Sequence, residues 1–199
     1  MVLKSCKNIF VKKPDDELWI TYAGTLGHSY NIEIVFDALN ELPDDLGHNV
    51  VFHVFGDGPY LERFKQYAKK CKVKSNFHGR VDYPVMVANL CKSDIAVNPI
   101  VKGAAQSIIN KHADYAAAGL PVVNTQECQE YRNLIDTYGC GINCEAESAK
   151  GVAIALQKLI ENPKERRRMG ENSRRMAEER FDRRSTYKQI VKIIEDLER

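Results

Sequence analysis

The 199-residue chain has no run of eighteen apolar residues, which excludes a membrane-spanning helix of ordinary length. It has no C-x-x-C pair either. The six cysteines, Cys6, Cys71, Cys91, Cys128, Cys140 and Cys144, are scattered, against a thioredoxin-type centre or a zinc ribbon. Cys140 and Cys144 are the nearest pair, and no His-rich segment follows to complete a metal set. The expectation is no metal, with buried free thiols in a reducing cytoplasm. Internal repeats and low-complexity runs are missing, so a solenoid is not expected. The opening M-V-L-K-S-C-K-N-I-F is too short and broken for a signal peptide, which also predicts a cytoplasmic location. No Ser–His–Asp set or paired carboxylates stand out. His53, His78 and His112 read as structural.

What is present is ordinary for a soluble globular protein. The hydrophobic content of 44% and charged content of 28% fit one domain with a sizeable core. The net charge of +2 hides an asymmetry. From Lys164 to Lys192 there are eleven Lys or Arg against five Asp or Glu, so this segment is strongly basic and the remainder acidic. Either a solvated face or a surface resting on anionic lipid at the inner membrane face fits that pattern. Nucleic acid is not an expected partner.

Periodicity gives the organisation. Residues 1–17, with a Pro14-Asp15-Asp16 turn, read as a lead-in or interdomain linker. Leu18 to Ala23 is a buried strand running into Gly24-Thr25-Leu26-Gly27-His28-Ser29. A helix follows with Ile32, Val35, Phe36 and Leu39 on its apolar face. The next strand, Val50 to Phe55, ends in Gly56-Asp57-Gly58-Pro59, and an amphipathic helix spans Tyr60 to Cys71. Asn76 to Val81 is a strand, Tyr83 to Cys91 a short helix, and Ile95 to Asn98 a further strand. A helix is expected from about Ser107 to Gly119, with Ser107 as N-cap and Gly119 in the left-handed conformation that stops it. Pro121 to Asn124 is a strand, Gln126 to Tyr138 a helix, and Cys140 to Cys144 a short strand. Ser148 caps a helix with Val152, Ala155, Leu156 and Leu159 inward, and Lys164 to Arg180 and Phe181 to Glu198 read as two final helices.

About six strands alternating with helices predict an α/β fold, a Rossmann-like doubly wound parallel sheet covered on both faces. Residues 18–180 form that domain and 181–199 a C-terminal helix. Such sheets bind ligands beyond the carboxyl ends of their strands, where the strand order reverses. The strand–loop–helix–strand unit from Asp94 to Thr125 stands out. Its helix start offers free amides and a positive dipole end to an anion. Gln106, Ser107, Asn110, Lys111 and Asp114 lie on that loop and the first turns, placed to hold a phosphorylated ligand.

The phrase Asp114-Tyr115-Ala116-Ala117-Ala118-Gly119-Leu120-Pro121-Val122-Val123 resembles the E-A-M-A-x-G-x-P-V-V phrase of retaining glycosyltransferases of family 4 (group 1), which have the two-domain GT-B architecture. It also resembles the K-x-x-D-Y-M-A-A-G-K-P variant of bacterial surface-polysaccharide transferases. In this family the first of two glutamates lies upstream with seven residues between them; here that position is Gln106. The resemblance implies a C-terminal, donor-binding domain whose N-terminal, acceptor-binding partner domain is absent. It implies a nucleotide-sugar, a UDP-sugar, as substrate with no cofactor, and transfer with retention to a glycan or lipid-linked acceptor in polysaccharide biosynthesis. It also implies that this single domain is inactive alone. Asp114 takes the place of the glutamate that holds the ribose hydroxyls, and Gln106 that of a sugar contact. Lys111 and the amides near Asn110 suit the departing diphosphate.

The family's loop after the first strand supplies an Arg and a Lys to the diphosphate. Here Thr25 replaces the Arg and no Lys follows, so Gly24, Thr25 and Gly27 are expected to act through backbone amides, with His28 as either a phosphate contact or a structural residue. Asn76 to Val81 is similar to the family strand whose exit lies beside the base, which makes Arg80 and Val81 donor contacts; an exposed charge at a strand end is the other reading of Arg80. The catalytic residues stay unassigned. A non-catalytic nucleotide-binding or assembly module, or an enzyme akin to sugar-nucleotide epimerases, are the alternatives.

Overall fold

A computed structural model of the chain describes residues 12–104 and 107–197. Gln106, Cys6 and most of the expected lead-in lie outside the described residues. Six strands are present: β1 Leu18–Ala23, β2 Val50–Phe55, β3 Lys74–Gly79, β4 Ile95–Asn98, β5 Val122–Asn124 and β6 Gly141–Asn143. They form one parallel sheet in the order β3-β2-β1-β4-β5-β6. The chain winds outward from β1 to β3, returns to pair β4 with β1 through Ile20 and Ile95, and winds outward the other way. The order therefore reverses between β1 and β4, as in doubly wound Rossmann sheets.

The helices are α1 Ile32–Asn40, α2 Asp44–Gly47, α3 Leu61–Ala68, α4 Tyr83–Leu90, α5 Asn110–Ala117, α6 Gln129–Tyr138, α7 Ala149–Glu161, α8 Pro163–Met176 and α9 Arg183–Leu197. Alternation along the strands divides the core. Ile20, Tyr22, Phe52, Val54, Ile95 and Val97 meet α1, α3 and α7 on one face. Ala23, Phe55, Ala96 and Val122 meet α4, α5 and α6 on the other. Because both faces are covered, β1, β2 and β4 are apolar almost continuously. Each fully buried side chain of the size of Ile20 or Phe52 is worth about 1.5–3 kcal/mol.

Several expected boundaries shift; β3 lies at Lys74–Gly79 instead of Asn76–Val81, the last helix begins at Arg183 instead of Phe181, and three further shifts have a clear cause. The helix expected from Ser107 begins at Asn110. The Ser107 carbonyl instead accepts from Gln126 Nε2 at 2.8 Å, and the amide of the extended Ile109 donates to His112 Nδ1 at 3.3 Å. The histidine at the third helical position thus holds the amide of the residue before the helix, and Ser107 is not the N-cap. The helix expected from Gln126 begins at Gln129, since Gln126 is fully buried in a polar network described below. The helix expected to run to Arg180 ends at Met176 and widens into a π-turn, Ala177–Phe181. The wider turn keeps Ala177 and Phe181 both against the α6 side of the core.

The sequence M-G-x-x-S-R near Met169 has a packing role. A Cβ on Gly170 would lie 2.5 Å from the Gly119 carbonyl oxygen, so only glycine lets α8 approach the end of α5. One turn on, Arg174 Nη1 donates to the Ala117 carbonyl at 2.6 Å, satisfying a carbonyl that the helix end leaves free.

Candidate functional site at the strand-order reversal

The loops leaving β1 and β4 meet where the order reverses. The Asn31 amide donates to Pro99 O at 2.9 Å and the Val101 amide to Ser29 O at 3.1 Å, which ties the two loops together. The Gly56-Asp57-Gly58-Pro59 turn props the β1 loop from the other side. A Cβ on Gly56 would sit 1.8 Å from Gly24 O, and one on Gly58 2.3 Å from Leu26 O. The Gly24 amide donates to Phe55 O and the Leu26 amide to Asp57 O, both at 2.9 Å. These two amides are committed to the fold, which corrects the expectation that the loop acts through its amides generally.

Above the β1 and β2 ends lies an open cleft of about 380 Å³ lined by Gly24, Thr25, Phe55, Gly56, Asp57, Arg80, Val81 and Met86. Four expected contacts, Gly24, Thr25, Arg80 and Val81, are brought together there. Gly27 and His28 do not line it. Gly27 is buried, and His28 lies in a separate hollow with Tyr30, Asn31 and Glu33.

Lys111 reaches the underside of the same loop. It is only 8% exposed, and its Nζ lies 3.2 Å from the Tyr22 hydroxyl. The amine also sits 4.2 Å and 4.0 Å from the ring centres of Tyr22 and Tyr30, an arrangement that favours a cation. The Tyr22 hydroxyl in turn donates to Thr25 O at 2.6 Å. A Cβ on Gly24 would fall 2.9 Å from Lys111 Nζ, so the amine fills the space that any side chain at Gly24 would need. Burial pushes the Lys111 pKa well below the usual lysine range.

Asp114, one turn further along α5, is half-buried and accepts from the Tyr83 hydroxyl at 2.6 Å. Burial raises its pKa, against the opposing effect of the Tyr83 hydrogen bond. It lines a second cleft, of about 300 Å³, with Tyr83, Arg174 and Phe181 among the walls. Helix α4 separates the two clefts, Met86 facing the first and Tyr83 the second. Ser107 and Asn110 are exposed at the start of α5; Gln106 lies outside the described residues.

A ladder of amides under α5 escaped the sequence reading. Asn98, Asn124 and Asn143 close β4, β5 and β6 and stand in register. Asn98 Nδ2 donates to Asn124 Oδ1 at 2.8 Å and to Gln126 Oε1 at 3.1 Å. Asn124 Nδ2 donates to Asn143 Oδ1 at 2.9 Å. His112 packs against this ladder with its ring 3.4 Å from that of Tyr131, and burial holds it neutral down to about pH 3. The ladder fixes the start of α5 to the carboxyl edge of the sheet. Its signal in the sequence was an asparagine at the end of three successive strands.

Elsewhere, a wider hollow of about 830 Å³ lies at the opposite, amino-terminal edge of the sheet, beside Asp94, Pro121, Lys164 and Arg167. It is remote from the strand ends where such sheets bind ligands. Among the described residues, no group of three His, Cys, Asp or Glu could hold a metal ion.

Known proteins resemble the chain in sequence and in fold. An uncharacterised glycosyltransferase of Methanocaldococcus jannaschii is 28% identical over 94% of the chain and 47% of its own length. A putative colanic acid biosynthesis glycosyl transferase of Escherichia coli is 23% identical over 89% of the chain and 43% of its length. The chain thus spans about half the length of the curated relatives it matches. Among solved structures, Anabaena HepE in complex with UDP superposes with a TM-score of 0.77 at 18% identity, covering 91% of this chain and 49% of HepE. WaaG, a glycosyltransferase involved in lipopolysaccharide biosynthesis, gives 0.70 at 22% identity, covering 83% and 44%. Both show the same fold. The family model for glycosyl transferases group 1 matches residues 7–176, most of the chain, and the chain belongs to that family.

Proposed function

We propose that this chain is the donor-binding domain of a group 1 glycosyltransferase and that it holds a UDP-sugar at the reversal point between β1 and β4. The observation that carries the reading is the buried Lys111 amine beneath the side-chain-free Gly24, at the edge of the cleft that Thr25, Arg80 and Val81 line. In this reading the diphosphate rests on Gly24, and Lys111 stabilises the negative charge that grows as the glycosidic bond breaks. The base lies against Arg80 and Val81. Asp114, a carboxylate with two acceptor oxygens, takes the two ribose hydroxyls, which requires the ligand to pass the start of α4. HepE, which has the same fold, has been solved with UDP and with UDP-glucose, and this supports a uridine nucleotide here.

Transfer to a glycan or lipid-linked acceptor, with retention, is proposed for a whole enzyme in which a second domain of similar size closes over this one. That this chain spans about half of its relatives supports the division. The test is calorimetric titration with UDP. Saturable binding is expected, weakened at least tenfold by Asp114→Ala, since a hydrogen bond to a charged group is worth about 1.5–3 kcal/mol. Unchanged affinity in that variant overturns the ribose role. Thr25 and the committed loop amides favour a second reading, a nucleotide-binding module without transfer. Sugar transfer restored by adding the amino-terminal half would exclude that alternative.

A further inference from the structure

The Lys111 environment is unusual beyond its position. Among the described residues no carboxylate forms an ion pair with it, and its contacts are a phenol and two aromatic rings. Burying an ammonium with no counter-charge costs several kcal/mol. Lysines so placed shed a proton instead. Nζ lies 2.9 Å from where a Cβ on Gly24 would be, and the side-chain-free Gly24 is itself part of the cleft wall. An anion lying on that glycine would bring the missing negative charge to within a few ångströms of the amine.

Resting on the donor-site reading, we infer that Lys111 stands as an amine in the free protein and becomes an ammonium when a diphosphate binds, so that binding draws one proton from solution onto Nζ. No bond other than N–H forms. A cation beneath Gly24 is thereby available when the ligand supplies its counter-charge, in a chain whose β1 loop lacks the family's Arg and Lys. The tyrosine rings stabilise the charged form once made.

The other titratable groups packed around Nζ do not compete for this proton. Burial holds the phenols of Tyr22 and Tyr115 protonated well above neutrality. Burial keeps His112, on the same helix, neutral down to about pH 3. Tyr30 faces Nζ with its ring. His28, in the hollow beyond Tyr30, is the histidine carried by the β1 loop itself, and it needs its own control.

The experiment is calorimetric titration of the chain with UDP in buffers of different ionisation enthalpy, which counts protons exchanged on binding. Lys111→Met and His28→Gln are measured alongside. The terminal phosphate of UDP exchanges protons of its own, so the titrations are run at a pH where free UDP is fully ionised and the difference between the proteins is the readout. The expected result is a net uptake approaching about one proton in wild type and in His28→Gln, absent in Lys111→Met, with affinity in that variant reduced about tenfold or more. Thermal stability should not fall in Lys111→Met, because an apolar group replaces a buried, unpaired one. Lys111→Arg, which stays charged, should show no uptake.

The same proton count in wild type and Lys111→Met overturns the inference, as does loss of uptake in His28→Gln. Inorganic pyrophosphate separates this inference from the donor reading. Lys111-dependent uptake with pyrophosphate but no binding of UDP would sink the nucleotide reading and keep the inference. Absence of Lys111-dependent uptake with either ligand overturns it.

Discussion

Single residues carry most of the proposed chemistry, and Tyr83 is the one whose role the sequence did not disclose. Its hydroxyl occupies one oxygen of Asp114, the residue given the ribose. A ribose bound through both carboxylate oxygens must displace it. Tyr83→Phe is therefore expected to tighten UDP binding roughly three- to tenfold, on the scale of one hydrogen bond, while leaving 2′-deoxyuridine diphosphate less affected. Weaker UDP binding in the variant would show that Tyr83 orients the carboxylate instead. Two buried histidines give a second prediction at this scale. Burial lowers the pKa of His53 to about 4 and that of His112 to about 3. Unfolding lets both take up protons near pH 6.5, so stability present above about 6.5 is lost as pH falls through about 4 and 3. Urea titrations should show that loss, and His112→Gln should flatten part of it. That Gly24 and Arg80 lie at one cleft was legible because motif positions name residue types. The burial of Lys111 was not, because its tyrosine cage comes from β1 and its loop, some eighty residues distant in sequence.

At the scale of elements, strand and helix existence followed from periodicity, whereas helix starts did not. Ser107 satisfied the sequence rule for an N-cap, but tertiary contacts overrode it. Gln126 holds the Ser107 carbonyl, and His112 caps Ile109. The side chains that decide the boundary come from a distant loop and from inside the helix. The glycine turn after β2 shapes the sheet edge, and the close contacts give the reason. A Cβ on Gly56 would meet Gly24 O at 1.8 Å, at a φ of +131°. Gly56→Ala is expected to destabilise the chain by about 3 kcal/mol or more, read as a lower urea midpoint, and to displace the β1 loop. The asparagine ladder makes a separate prediction. Asn98→Ala removes donors from Asn124 and Gln126 in a fully buried setting, so a loss of about 1–3 kcal/mol is expected, together with weaker UDP binding as α5 loosens. A variant with native stability would show that the ladder is dispensable.

The whole molecule is one doubly wound sheet with its candidate site at the reversal point and a last helix, α9, exposing Tyr187, Ile190, Val191, Ile193 and Ile194. Fold class and strand number were legible because both faces of the sheet are covered, which leaves long apolar runs alternating with amphipathic helices. The division of the site into two clefts by α4 was not, since it depends on where α4 packs rather than on its composition. No helix among the described residues is long and apolar enough to cross a membrane. The central claim, that a uridine nucleotide lies along the β1 and β4 loops, is tested most directly by mapping amide chemical shifts of the labelled chain during UDP titration. The account predicts perturbations concentrated at Gly24, Thr25, Arg80, Val81 and the first turns of α5 through Asp114. Perturbations centred instead on Lys164 and Arg167, beside the wide hollow at the opposite edge of the sheet, would contradict it.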